Sequence, residues 1–353
     1  MLKELPLFRR RFLAIAAAGA VALALAAPAA LAQQPLKKIT IALGGDGLQI
    51  SAIHIPLAKG YFKEEGLDVE IVDVNSGPRQ VAAIMGGSAL FGPLGMIQVI
   101  KANAEGGQLA AVANLFSVLD IHIVLSKEAI AKTGIKPEMS VDEKVRRMKG
   151  LRIGITSPGS TTDTTVRSLF KARGMDPDQM VQLQPLGGGT NMLAALEKGA
   201  TDGFAWSAPQ PQIAVQKGIA EIVIDPFDRV VPEMIDVPYE VMAINKATAK
   251  ENEDVIRRSI RAMTKGMKFA QENPDEALKI LQQHFPSYDQ DILKKAWVNY
   301  RKALPTTPVI TKQYFDNTQR WLNITAKTPV NTKYEDVVQN DVAAQAAKDI
   351  LGK

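Results

Sequence analysis

The residues best suited to chemistry lie in short loops rich in glycine, serine and threonine. Ser157-Pro158-Gly159-Ser160-Thr161-Thr162-Asp163 runs into a helix-forming stretch. The first amides of a helix lack intrahelical partners, and the helix dipole favours negative charge there. Donors at Ser160, Thr161 and Thr162, with their hydroxyls, therefore suit a carboxylate, sulfonate or phosphate, and Ser157 and Gly159 complete that candidate loop. Ser160 with Asp163 is also a capping-box-like pair that starts the helix; a side-chain cap leaves other amides free, so both roles can hold. Asp46 has no basic residue nearby in sequence and either meets a ligand amine or caps the helix that follows. Arg79 either neutralises an anion or sits solvated on a helix's first turn. Trp206 offers a ring on which a ligand can stack.

Other chemistries are excluded or unsupported. The chain has no cysteine, so thiol nucleophiles, disulfides and thiolate metal sites are impossible. Its three histidines, His54, His122 and His284, are far apart and mostly within apolar runs. They show neither metal-ligand spacing nor a convincing catalytic base, so no catalytic residue, metal or cofactor is expected.

The elements that must position these loops come as a repeat. Asp68–Asn75 reads as a strand entering the Ser76-Gly77 loop, Arg79–Met85 as a helix, and Gly87–Phe91 as a second short strand. A block 112 positions later repeats the texture: Val181–Leu186 enters Gly187-Gly188-Gly189, then comes a helix over Asn191–Lys198, then Gly199–Phe204. At the same offset Ile39–Leu43 falls on Leu151–Ile155, and Gly47 on Gly159. Alternating strands and helices in two blocks imply an α/β protein of two lobes, each a largely parallel sheet flanked by helices. In such sheets ligands lie beyond the carboxyl ends of the strands. That directs attention to Asp46, Ser76, Gly77, Arg79, Pro93 and Leu94 in one lobe, and to the Ser157–Thr162 loop, Gly188 and Trp206 in the other.

The connecting chain completes the layout. Strands expected over Leu109–Leu115 and Ile121–Leu125 carry the chain into the second lobe, and Glu221–Ile224 and Tyr239–Ile244 carry it back. The expected division is residues 38–121 plus 240–353 for lobe 1 and 122–239 for lobe 2, with a hinge at the two crossings. Beyond Lys246 the pattern is helical: Ile256, Ile260, Met263, Met267 and Ala270 share one face. Asn273 before Pro274, Ser287 and Thr311 read as helix caps. Trp297, Tyr300, Phe315 and Trp321 read as packing residues that brace the lobes.

Arg9-Arg10-Arg11, the apolar run Phe12–Ala32 and the ending Ala30-Leu31-Ala32 form a secretory leader, with cleavage expected after Ala32. The alternative is a membrane anchor, but the run is mostly alanine and Pro28 precedes the cleavage signature. The frame Arg9–Leu13 also fits a twin-arginine signal. The leader carries four basic residues against one acidic, so its removal lowers the net charge from +5 to about +2. A case for nucleic acid thereby loses its electrostatic basis. About 320 mature residues, 46% of the whole chain being hydrophobic, suffice for two medium lobes.

Gly60-Tyr61-Phe62-Lys63-Glu64-Glu65-Gly66-Leu67-Asp68-Val69-Glu70 resembles the hallmark of solute-binding proteins of the nitrate, sulfonate and taurine group, which includes carriers of thiamine-pyrimidine precursors. Met148–Ile155 followed by Ser157–Ser160, and Met192–Gly203, are similar to two further elements of that group. The resemblance covers residues 38–245 and implies a periplasmic two-lobed clamp, a periplasmic-binding-protein fold, with an ABC permease and ATPase as partners. A monomer that takes a small, anionic organic ligand is expected. One element departs: Gly86-Gly87-Ser88-Ala89-Leu90-Phe91-Gly92 lacks the usual acid, so nitrate or sulfonate specificity is not carried over. A pyrimidine-synthesising branch resembles the same fold, but it carries a cysteine-rich motif. A ligand-presenting sensory protein is a third reading.

Overall fold

The computed structural model describes residues 35–352; the leader and its cleavage point lie outside the described residues. Among the described residues, ten strands form two five-stranded sheets. The first holds β1 (Lys37–Leu43), β2 (Leu67–Asp73), β3 (Phe91–Gly95) and β4 (Leu109–Asn114). The second holds β5 (His122–Ser126), β6 (Arg152–Ile155), β7 (Gln182–Pro185), β8 (Gly203–Trp206) and β9 (Ala220–Ile224). A tenth strand, β10 (Glu240–Asn245), returns to the first sheet. The orders are β2-β1-β3-β10-β4 and β7-β6-β8-β5-β9.

The two orders are one pattern used twice. β1 runs parallel to β2 from Lys37↔Leu67 to Leu43↔Asp73, and β6 runs parallel to β7 from Arg152↔Gln182 to Ile155↔Pro185. The offset of 112 relates β1 to β6, β2 to β7, β3 to β8 and also β4 to β9. Each sheet's single antiparallel strand, β10 or β5, sits at the same interior place. It is contributed by the chain just as it crosses over or returns.

The strand expected over Gly87–Phe91 begins only at Phe91 and extends to Gly95. The reason lies in the backbone: Gly87 is left-handed (φ +76°) and turns the chain after the helix, as does its repeat equivalent Gly199 (φ +65°). Pro93 and Leu94 are thus strand residues rather than loop residues. Pro93 has no N–H to give to the ladder. The side chain of Gln80 supplies one instead, its Nε2 donating to Ala42 O (2.7 Å) and to Pro93 O.

Helices cover the sheets: α1 (Ser51–Ala58), α2 (Gly77–Met85), α3 (Met96–Ala104), α4 (Thr161–Lys171), α5 (Gly189–Glu197) and α6 (Gln210–Gln216). The tail adds α7 (Glu253–Glu272), α8 (Pro274–His284), α9 (Gln290–Ala303), α10 (Lys312–Thr325) and α11 (Asp341–Leu351). No described helix is long and apolar enough to cross a membrane. The face of α7 expected from its periodicity is buried, and Gly266 lets it lie close to α1: a Cβ there would come within 2.6 Å of Pro56. Two expected caps are wrong. Asn273 turns its amide back to Phe269 O instead of capping α8, and Asp289, not Ser287, caps α9 by accepting from the Asp291 and Ile292 amides. Thr311 caps α10 as expected.

The tail reaches both sheets. Tyr300 of α9 accepts a hydrogen bond from Ala208 N (2.8 Å) beside β8, and Trp321 of α10 donates to Ser168 Oγ (2.9 Å) of α4. Trp297, Tyr300, Phe315 and Trp321 are all buried in one core that runs through both sheets and the tail.

Candidate ligand-binding cleft

The carboxyl ends of β1, β3, β6 and β8 converge on a narrow cavity of about 40 Å³. From the first sheet it is lined by Gly44, Gly45, Gln49, Gly77 and Gln80, and by Pro93, Leu94 and Gly95 of β3. From the second come Thr156, Ser160, Thr161, Thr162 and Trp206; Tyr239 and Glu240 enter from the return crossing. The two sides touch. Gln98 donates to Gly159 O (3.0 Å), Leu48 N donates to Ala208 O (3.3 Å), and a Cβ on Gly95 would lie 2.8 Å from Thr161 Oγ1.

Of the residues expected in the site, Gly77, Pro93, Leu94, Ser160, Thr161, Thr162 and Trp206 line the cavity, whereas Asp46, Ser76, Arg79, Ser157, Gly159 and Gly188 do not. Ser76 caps α2 by accepting from the Arg79 amide, and Arg79 itself is exposed. Gly188 precedes α5 as its cap residue. Ser157 is half-buried, and its Oγ is buried without a partner.

The Ser157–Asp163 loop carries its own anion. Asp163 Oδ2 accepts from the Gly159 amide (2.7 Å), so that donor is not available to a ligand. Ser160 Oγ accepts from Asp163 N, which is half a capping box; the reciprocal arm reaches Gly159 rather than Ser160. The Thr162 hydroxyl is tied to Thr156 N and Ser160 Oγ. The first-turn amides of Thr161 and Thr162 remain, with no acceptor among the described residues, at the head of an 11-residue helix. The anion reading thus narrows from the whole loop to these two amides and the Thr161 hydroxyl, which has no partner among the described residues.

Trp206 is the wall between the repeats. Its ring lies against Gly45 of one glycine loop, where a Cβ would meet Cη2 at 2.8 Å, and against Gly189 of the other, where a Cβ would overlap Nε1. Its Nε1 donates to Gln210 Oε1 (3.1 Å), and Gln210 donates to Tyr288 Oη (2.9 Å), which fixes the ring edge.

The histidines correct the sequence reading. His54 of α1 and His284 of α8 both hydrogen-bond Asp46, at 2.8 and 3.0 Å, and their rings stack at 3.8 Å. Asp46 therefore caps no helix; it ties the first loop to the tail. Burial raises the Asp46 pKa, but hydrogen bonds from His284 and His54 outweigh it and hold the carboxyl well below the usual range. Burial lowers the His54 pKa in spite of Asp46, so His54 acts as a neutral donor through Nε2, leaving Nδ1 buried without a partner. A carboxylate and two imidazoles within 4.8 Å also form a donor set that suits a divalent cation. His122 lies apart, bonded to Asp120 O (2.9 Å).

Two acids missed by sequence reasoning lie at the crossings. Asp120 is entirely buried, and burial pushes its carboxyl up to about 7 although the Ser207 hydroxyl donates to it. Burial and the charge of Asp120 push Glu240 up to about 8. The available signal was a lone acid in the otherwise apolar strand Glu240–Ile244.

Two doubly wound sheets, each completed by an exchanged strand, with a cleft at the strands' carboxyl ends, define the fold of the periplasmic binding proteins. A structure from Bordetella bronchiseptica RB50 matches with a TM-score of 0.78 at 23% identity, over 90% of this chain and 98% of that one. The periplasmic nitrate-binding protein NrtA of Synechocystis PCC 6803 matches with a TM-score of 0.68 at 15% identity, over 89% of each chain. In sequence, the riboflavin-binding protein RibY of Chloroflexus aurantiacus is 24% identical over 265 residues, 74% of this chain and 70% of that one. A family model described as NMT1/THI5 like matches residues 49–277. The chain belongs to that family.

Proposed function

We propose that the protein is an exported receptor that encloses a small organic ligand between its two sheets and delivers it to an ABC importer. The cavity supports this most directly: both repeats and the return crossing line it, and hydrogen bonds between its two sides hold it shut. An acidic or otherwise electronegative end of the ligand sits on the Thr161 and Thr162 amides, where the start of α4 concentrates donors. Trp206 covers one face of the ligand. Each sheet with its helices is one lobe, residues 38–121 with 240–353 and residues 122–239. Opening occurs at segments 115–121 and 225–239, and ligand shifts the balance toward the closed form that docks on the permease. The relatives named for binding support a receptor over an enzyme, and the absence of cysteine removes the cysteine-rich chemistry of the synthase branch.

The test is a thermal-shift screen of the chain from Gln33 against organic acids, sulfonates and heterocyclic acids. A ligand that binds only the folded form raises the melting temperature. Release of a chemically altered compound from any of these mixtures would refute the receptor reading.

A further inference from the structure

The cleft is polarised. Among the described residues that line it, Glu240 is the one acid, and no Lys, Arg or His is present. Glu240 is 6% exposed, and its Oε2 is buried without a hydrogen-bond partner. The charge that acts on it through space is that of another acid, Asp120. Gln49 adds a second buried oxygen, Oε1, also without a partner. Gln80 spends its amide nitrogen on the first sheet and so offers only oxygen to the cleft. Acceptors thus gather on the side of the first sheet and the return crossing, while the Thr161 and Thr162 amides present donors on the other side.

A buried carboxyl group with no cation beside it is satisfied by holding a proton or by meeting a donor. We propose that Glu240 recognises a basic nitrogen of the ligand, an amine, amidine or nitrogen heterocycle, whose acidic end lies on the Thr161–Thr162 amides. The ligand is then an amphoteric molecule and not a simple anion. This rests on the receptor reading above. It explains why a cavity that offers amides to an anion carries no cationic side chain: the ligand brings its own positive charge, and Glu240 meets it. One proton shared between the carboxyl oxygen and the ligand nitrogen satisfies both buried groups.

Matched pairs that differ only at the nitrogen test this by calorimetry: 4-(aminomethyl)benzoate against 4-ethylbenzoate, pyridine-3-carboxylate against benzoate, and 3-aminopropanesulfonate against butanesulfonate. The nitrogen-bearing member of any pair that binds should be tighter by roughly tenfold to a hundredfold, the range of a hydrogen bond to a charged group. Glu240→Gln should erase most of that difference. Should Glu240→Gln fail to fold, the comparison on the unaltered protein stands alone. Equal or tighter binding of the nitrogen-free members overturns the proposal and leaves the receptor reading intact. Binding by no member of any pair, nor by any compound of the wider screen, removes the receptor reading and this proposal with it.

Discussion

Replacing Asp120 with asparagine should make the protein more stable, and by clearly more at pH 8 than at pH 5. Asp120 has no exposed surface; Ser207 Oγ donates to its Oδ1 (3.1 Å), and its Oδ2 is buried without a partner. Its surroundings add negative charge, Glu240 and Asp225, and hydroxyls from Tyr300 and Ser207, with no cation to compensate. An acid whose folded pKa is raised keeps its proton in the native state after the unfolded chain has lost it. Stability then falls as pH rises from the unfolded value to the folded one, and the full cost is felt above the folded value. For Asp120 that window runs from 3.8 to about 7. At 1.36 kcal/mol per pKa unit the cost is on the order of 4 kcal/mol at pH 8. Asparagine keeps the shape without the charge. Relief of Glu240 from its charged neighbour adds to the effect in the same direction. The assay is urea unfolding of both proteins at pH 5 and pH 8, compared at constant slope. A stability difference between them that is the same at both pH values would refute the reasoning.

Four further outcomes follow from the geometry. Gly189→Ala places a Cβ on the Trp206 indole and should shift its fluorescence and weaken any ligand found in the screen by about tenfold or more. Gly266→Ala drives a Cβ into Pro56 and should cost about 1–3 kcal/mol in denaturant unfolding, although alanine favours a helix. Arg173 is buried between Asp142 and Glu233, so Arg173→Met strands the half-buried Glu233 and should cost about 3 kcal/mol by the same measurement. Removal of His284 should move the Asp46 carboxyl back up toward its ordinary value. Stability that Asp46 supplies above that value is lost as pH falls through its folded pKa, so His284→Ala should unfold in acid at a higher pH; an unchanged acid midpoint contradicts the assignment.

The sheets were legible because strands carry local signals. Ile39–Leu43 and Val181–Leu186 are short apolar or alternating runs that end at glycine, and the repeat matched them to Leu151–Ile155 and to the strand from Asp68; Tyr239–Ile244 is a short apolar run between Pro238 and Asn245. The boundary errors came from backbone conformation: nothing in Gly86-Gly87-Ser88 announces that Gly87 is left-handed and delays β3 to Phe91. The cleft was half legible for a related reason. Loops at strand ends could be located from order alone, which found Gly77, Thr161, Thr162 and Trp206. Which donors were already spent could not, because Asp163 turning back to Gly159 is a matter of rotamers. The Asp46–His54–His284 cluster joins the first loop to a helix 238 positions away, a distance that no spacing rule bridges.

The exchanged strands bear on how such a chain comes into being. In the first sheet β10 lies between β3 and β4, so those two strands cannot bond to each other. A polypeptide emerging from a ribosome or a translocation pore has all of β1 to β4 outside long before residue 240 appears. Until then the half-built sheet has an empty slot, with unpaired ladder edges on β3 and β4 open to any extended segment nearby. The second sheet needs no such wait, since β5 precedes the rest of it. Residues 122–224 can therefore mature first, and the amino-terminal half is finished last, by a strand that arrives from beyond it.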